Sequence, residues 1–287
     1  MQGLGNPLKG IALVMAATLM FAGGDTLGKH LILLYPATLV LSARYLINLG
    51  LVLGTMWPRH RSAVWQTTRT GLVLLRGLLL AVATITMLLA LRVMPVAETV
   101  AIIYITPVLL MLVSGPVLGE TVSRQGWICA AMGFAGVLLI ARPGSGLDAG
   151  GVVLCLLNAA LGTGYHLLTR ILTRTETTMA LMLHTALVGS AVSVGLTLWL
   201  GALILPGLWD GTLMLVYGSL ATLGHLLLTS AYREAPASVL APVNYMHIAF
   251  ATALGWLVFA QIPDALGFLG MLAIAAAGLI AALRPGR

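Results

Sequence analysis

Charge is scarce in this chain. Only 8% of its 287 residues are Asp, Glu, Lys or Arg, while 60% are hydrophobic and the mean hydropathy is +1.03. A soluble domain carries about 25% charged residues, so this composition leaves too little polar surface to cover a water-facing fold. The shortage excludes a soluble globular protein and points to a polytopic membrane protein, with length for about ten spans of about 20 residues. Cysteine is nearly absent: Cys129 and Cys155 both lie in apolar segments and make no disulfide framework. No five like charges stand together, so the net charge of +7 reads as basic loops and not as a nucleic-acid footprint. There is no H-E-x-x-H, no Cys/His cluster with metal-ligand spacing and no G-x-x-x-x-G-K-[ST], so no metal, cofactor or ATP-driven chemistry is expected. GSGLDAGG at 144–151 is glycine-rich but reads as a linker between spans five and six.

Apolar length is what the chain has in abundance. Runs bounded by proline, glycine and charge predict spans near 8–30, 36–57, 70–91, 97–118, 125–142, 149–170, 178–203, 211–232, 238–259 and 266–283. These are expected to be helices, because backbone groups in hydrocarbon need partners within their own segment. The ten-residue alternating segments of a membrane barrel do not occur. Lys9, a following apolar run and FAGG imitate a signal peptide; the repeat described next makes residues 8–30 a retained span instead. Lys9, Arg59, Arg61, Arg69, Arg124, Arg170, Arg174, Arg233, Arg284 and Arg287 fall on one side of the expected membrane, against Lys29, Arg92 and Arg142 on the other. The positive-inside tendency places both termini in the cytoplasm. Trp57, Trp127, Trp199 and Trp209 fall at span ends, where amphipathic rings anchor at the interface.

ALRVMPVAETVAIIYITP at 90–107 and AYREAPASVLAPVNYMHI at 231–248 align at an offset of 141. The offset pairs Arg92 with Arg233, Pro95 with Pro236, Ala97 with Ser238, Tyr104 with Tyr245 and Glu120 with Gln261. The chain divides into halves 1–145 and 146–287 of five spans each, and because five is odd the second half enters the membrane upside down. Inverted repeats are a signature of secondary transporters, with the site near the midplane between the halves. Duplication that only builds a scaffold is the structural alternative.

The pattern AL-R--P---------Y--P--------LGE-----G, followed by a small-residue helix ending in RPG, resembles the EamA-type transporters of the drug/metabolite transporter superfamily. APASVLAPVNYMHIAFATALGWLVFAQIPD looks like a second copy of that unit, so the resemblance covers nearly the whole chain. It implies an all-α integral membrane fold: ten transmembrane helices as two inverted five-helix repeats, both termini cytoplasmic, in a bacterial inner membrane. It also implies alternating-access export of small metabolites, commonly amino acids, as in YddG-type exporters. The alternatives are an uptake carrier or exchanger for another metabolite such as S-adenosylmethionine, an intramembrane enzyme and a passive channel. The family often has an acidic residue after both its fourth and ninth spans. Here Glu120 is present and Gln261 stands at the second position, so that carboxylate's role is expected to be weaker in the second half.

Polar residues are not scattered at random. Thr18, Ala22, Asp25 and Lys29 share one face of the first span, and at an offset of 140 Asn158, Gly162, Tyr165 and Thr169 share the same face of the sixth. Charge in the bilayer is costly, so these faces are expected either to line a cavity or to glue helices together. Span eight adds Gly218, Thr222, His225, Thr229 and Tyr232. Pro242, Asn244 and Tyr245 mark a broken turn in span nine that either faces substrate or is a simple kink. Asp25 is expected to pair with Lys29 or Arg44, Lys29 to close the outer side through a salt bridge, and Arg76 to snorkel; Arg44 aligns with His184. The substrate-binding candidates are therefore Thr18, Asp25, Lys29, Arg44, Tyr104, Asn158, Tyr165, His225, Asn244 and Tyr245. Lys29, Arg44 or His225 would donate to a carboxylate, Asp25, Asn158 or Asn244 would accept from an ammonium, and the tyrosines would pack on the side chain. Gly126, Gly133 and Gly136 read as close packing or a dimer contact. The partners expected are a small-molecule substrate and the lipid bilayer, with no nucleic acid, for a monomer or weak homodimer.

Overall fold

The computed structural model describes residues 6–60, 65–118, 124–142, 146–172, 174–234 and 243–283. Every regular element among them is helical. In chain order these are α1 Pro7–Leu34, α2 Ala37–His60, α3 Thr70–Val93, α4 Val96–Ile103, α5 Thr106–Leu118, α6 Arg124–Ile140, α7 Ala149–Leu172, α8 Thr178–Trp199, α9 Leu208–Glu234, α10 Met246–Phe259 and α11 Ala265–Leu283. Six of them (α1, α2, α3, α7, α8 and α9) are long and apolar enough to cross a membrane, and the stretches around α4–α5, α6, α10 and α11 are shorter apolar helices. Trp127, Trp199 and Trp209, at helix ends, are exposed; the side chains of Trp57, Thr229 and Tyr232, with Gly126 and Pro242, lie outside the described residues.

Local chemistry sets the helix ends. Asn6 Oδ1 accepts from the N–H of Leu8 and Lys9 at 3.1 and 3.2 Å, with Pro7 in the first turn. Asp148 and Asp264 do the same for α7 and α11, accepting from Gly151 and Gly267 at 2.7 Å. The expected linker therefore ends at Ala149, inside the glycine run. Pro36 holds Tyr35 extended and stops α1. α8 stops at Trp199, short of the expected 203, and Gly201 takes a left-handed φ of 60° in the turn that follows.

The expected span 97–118 is two helices. Pro107 has no N–H, so the carbonyl of Ile103 loses its donor one turn on. The Thr106 hydroxyl replaces that donor at 2.7 Å, and Tyr104 (φ −68°, ψ 4°) sits at the junction. A second interruption falls at Tyr245, just before α10. Tyr104 and Tyr245 are the residues that the 141 offset pairs.

Helices pack mainly across the two halves of the chain. α1 lies along α9 and α3 along α7, while α2 packs on α8, α6 on α11 and α4 on α10. Exchanging α1 with α7, α2 with α8, α3 with α9 and α6 with α11 maps this pairing onto itself. Between α6 and α11 the backbones touch. A Cβ on Gly136 would lie 2.7 Å from the carbonyl oxygen of Gly270, and one on Gly270 would lie 2.6 Å from that of Gly136. Gly136 therefore serves packing within one chain, not a dimer contact, and a Cβ on Gly133 would likewise meet Val108 of the same chain at 3.3 Å. α4 lies at the centre, with Val96 through Ile102 all buried.

Candidate functional site

Two polar clusters sit between the halves, at positions that the 140–141 offset makes equivalent. The first gathers on Arg76 of α3, which is 6% exposed. Its Nε donates to Thr169 Oγ1, Nη1 to Thr185 Oγ1 and Nη2 to Tyr165 Oη, each at 2.7 Å, and Nη1 also reaches the Leu181 carbonyl at 3.3 Å. The guanidinium lies 4.4 Å from the Tyr165 ring centre. Arg76 does not snorkel. Polar partners on α7 and α8 hold it inside, and it ties those helices to α3.

The second cluster gathers on Tyr217 of α9, the equivalent of Arg76. Its neighbours are Arg44 and Tyr45 on α2 and Asp25 on α1. The Arg44 guanidinium lies 5.6 Å from the Tyr217 ring centre and 6.0 Å from that of Tyr45. Asp25 is within its electrostatic reach but is not its ion-pair partner. A guanidinium carries five N–H donors, so Arg44 keeps donors that no protein acceptor takes among the described residues. It is half-buried. His225 of α9 feels both arginines and His166 of α7, and its ring meets Phe21 edge-on at 5.0 Å.

Asp25 pairs with neither Lys29 nor Arg44, contrary to expectation. Its Oδ2 is 3.0 Å from Nε2 of His247 on α10. His247 Nδ1 in turn lies 3.1 Å from Tyr104 Oη, and that hydroxyl lies 3.1 Å from the Asn244 carbonyl. The Tyr104 and Tyr245 rings tilt against each other at 5.4 Å, so they pack on one another first.

Four candidates are spent on structure. Lys29, 4% exposed, donates from Nζ to the carbonyls of Leu91 (2.7 Å) and Met94 and lies 5.5 Å from the Phe259 ring centre. It caps the C-terminal end of α3, where cations are favoured, and makes no salt bridge across an outer gate. Thr18 returns its hydroxyl to Val14 and Met15 of its own helix at 2.9 and 3.0 Å. Asn158 donates to the Ala83 carbonyl at 2.5 Å and glues α7 to α3, and Tyr165 is held by Arg76. His184, the equivalent of Arg44, gives its Nδ1 to the Ala180 carbonyl at 2.8 Å. Asp25 and His225 lie within the electrostatic reach of Arg44, and Tyr104, Asn244 and Tyr245 connect to Asp25 through His247. Sequence reasoning passed over His247, although it lies two residues after the repeated tyrosine in an apolar run. It also missed the role of Arg76.

The ends of the molecule are fastened separately. Glu176, in the turn before α8, accepts from the backbone N–H of Thr68 and Arg69 at about 3 Å and from the Thr68 hydroxyl, at the start of α3. The Thr68 hydroxyl, then these N–H groups, hold its carboxyl below the usual glutamate range. Its side chain is covered by its donors, not by depth. At the other end Tyr35 Oη donates to Asp210 Oδ2 at 2.7 Å at the start of α9. Gln261 accepts weakly from the Val96 N–H at 3.4 Å, and Glu120 lies outside the described residues. An apolar groove of about 320 Å³ between α5 and α6, walled by Val108, Leu112, Trp127 and Phe134 among others, is remote from these polar groups and has no charged lining.

Residues 8–142 match the model of the EamA-like transporter family. The chain is 26% identical over 262 residues to the pseudopaline exporter CntI of Pseudomonas aeruginosa, covering 91% of each chain. It is 27% identical over 233 residues to a riboflavin transporter of Brucella anthropi, covering 80% of this chain and 82% of that one. A Rickettsia prowazekii S-adenosylmethionine uptake transporter is 23% identical over 202 residues, 69% of this chain and 67% of its own. A solved crystal structure superposes with a TM-score of 0.66 at 18% identity, over 96% of this chain and 95% of that one, and shares the fold.

Proposed function

We propose, from the premise that this chain belongs to the EamA-like transporter family and carries small metabolites across a membrane, that it exports zwitterionic metabolites of the amino-acid type. It is a multi-pass membrane carrier and not an enzyme. In this reading ten spans form two inverted five-helix repeats, 1–145 and 146–287, in a bacterial inner membrane with both termini cytoplasmic. The halves move about a site held between them. The symmetric pairing of α1 with α9 and α7 with α3 supports that reading.

The observation that carries the substrate class is the contrast between the two arginines. Arg76 has its nitrogens engaged by the protein, whereas Arg44, beside Asp25, keeps donors that no acceptor among the described residues takes. A carboxylate docks on the Arg44 fork through charge-assisted hydrogen bonds. The ammonium is directed toward Asp25, and the substrate's side chain toward Phe21 and His225. The test is counterflow of the common amino acids in proteoliposomes, with and without a pH gradient. Wild type is expected to exchange a subset of them, and Arg44→Ala to lower that exchange about ten-fold or more, the loss of a charged hydrogen bond. A wild type that carries none, or an Arg44→Ala variant that exchanges them unchanged, rejects the reading.

A further inference from the structure

We propose that Asp25, His247 and Tyr104 form a proton-binding site whose loading ties the two interrupted spans together. The three side chains come from α1, α10 and the α4–α5 junction. The Asp25 and His247 side chains are 16% and 9% exposed, and their facing atoms are 3.0 Å apart. The approach is off the axis of an ideal ring N–H bond, and neither atom has a hydrogen-bond partner among the described residues. Two buried lone pairs held that close repel each other, so a proton lies between them. On the other side of the ring, Nδ1 and the Asn244 carbonyl share the Tyr104 hydroxyl, each at 3.1 Å.

Donor accounting gives this network two states. A carbonyl only accepts, and a tyrosine hydroxyl has one proton to give. When Tyr104 donates to Asn244, His247 must donate to Tyr104 from Nδ1. Ring and carboxylate then hold one extra proton as a pair, either as imidazolium with carboxylate or as neutral ring with carboxylic acid. When that proton leaves, Nδ1 is bare and the Tyr104 hydroxyl turns to it. Nε2–H still faces the ionised Asp25, and the Asn244 carbonyl loses its donor. One proton enters or leaves, and no covalent bond other than that N–H or O–H changes.

The freed carbonyl sits at the interruption before α10, and Tyr104 sits at the interruption after α4. Proton loading therefore fastens two repeat-equivalent breaks, and release unfastens them, which makes a local charge change bias a mobile element. The groups around the pair are Arg44 of α2 and Tyr217 and His225 of α9. One turn along α1 stands Lys29, with Glu98 of α4 in its electrostatic reach. Proton binding itself stands on this geometry alone. What the proton drives rests on the carrier reading above.

The experiment is nitrogen NMR of histidine-labelled protein in detergent across a pH titration, with backbone hydrogen exchange of residues 243–248 at the two ends of the titration. In wild type, one histidine signal, absent from His247→Gln, is expected to lose its Nδ1–H as pH rises while exchange at 243–248 accelerates. Tyr104→Phe should keep a titrating histidine but lose the pH dependence of that exchange. A His247 ring that keeps one tautomer throughout, or exchange at 243–248 that ignores pH in wild type, overturns the site. In proteoliposomes loaded with the common amino acids, flux through His247→Gln should no longer respond to a pH gradient; a flux still driven by it overturns the coupling. A wild type that moves no amino acid yet titrates as described sinks the substrate reading and leaves the proton site standing.

Discussion

Arg76 and Arg44 sit in clusters that the 140–141 sequence offset places in register, yet they do opposite things. Arg76 meets two threonines, a tyrosine and a carbonyl from α7 and α8. Arg44 meets two tyrosine faces. A buried cation whose nitrogens are all engaged rigidifies the helices around it, whereas one without such partners is costly unless something else completes it. The neighbours decided which became a brace and which was left for a ligand. The same divergence separates Asp25 from its equivalent Tyr165: one faces a histidine across the halves, and the other accepts from Arg76.

The strongest test of this contrast is stability. Arg76→Ala strands the Tyr165 hydroxyl and removes the tie from α3 to α7 and α8, and should cost about 2–4 kcal/mol in denaturant unfolding from micelles, with Arg76→Lys recovering only part because an ammonium lacks the fork. Arg44→Ala should cost about 1 kcal/mol or less while impairing exchange. Equal destabilisation by the two would break the comparison. Next comes Lys29→Met, which removes a charged donor from two α3 carbonyls and should cost about 1.5–3 kcal/mol; an unchanged unfolding midpoint would return Lys29 to the substrate candidates. Gly136→Ala and Gly270→Ala probe the backbone contact between α6 and α11. Each drives a methyl into the other's carbonyl, so both should cost about 1–3 kcal/mol, and an unchanged unfolding midpoint in either would show that the two helices are not held in contact there.

The smallest effect is confined to acid. Because its hydrogen bonds depress the folded-state pKa of Glu176, its stabilisation is fully present above the ordinary glutamate pKa. It is lost as pH falls through the depressed folded value. Glu176→Gln should flatten that acid branch of the unfolding midpoint and leave the neutral branch nearly unmoved. A wild-type profile as flat as the variant's would remove Glu176 from the fastening of α3.

Some of the site was legible in advance and some was not. A polar stripe on α1 and its counterpart on α7 follow from helical spacing; of the candidate residues Thr18, Lys29 and Asn158 are buried and the rest half-buried. Their partners do not follow. Asp25 and Lys29 are one turn apart, yet Lys29 reaches carbonyls of α3 and Asp25 reaches α10. The helix interruption was sought at Pro242, while Pro107, which breaks the matching span, stood in the same alignment. His247 does not stand out in the sequence because its importance depends on what stands opposite.

Taken alone, the sequence determined that this is an all-helical membrane protein, through its lack of charge, and which positions of its two halves correspond, through the 140–141 offset. Correspondence says which residues occupy equivalent places and nothing about which side chains face each other. That depends on helix rotation, on where the backbone breaks and on which donors neighbours have already taken. Only the tertiary structure brought Asp25 to His247, engaged every nitrogen of Arg76 and left Arg44 with donors to offer. In a low-dielectric interior each polar group must find a partner within a few ångströms, and small shifts of packing decide which one it finds.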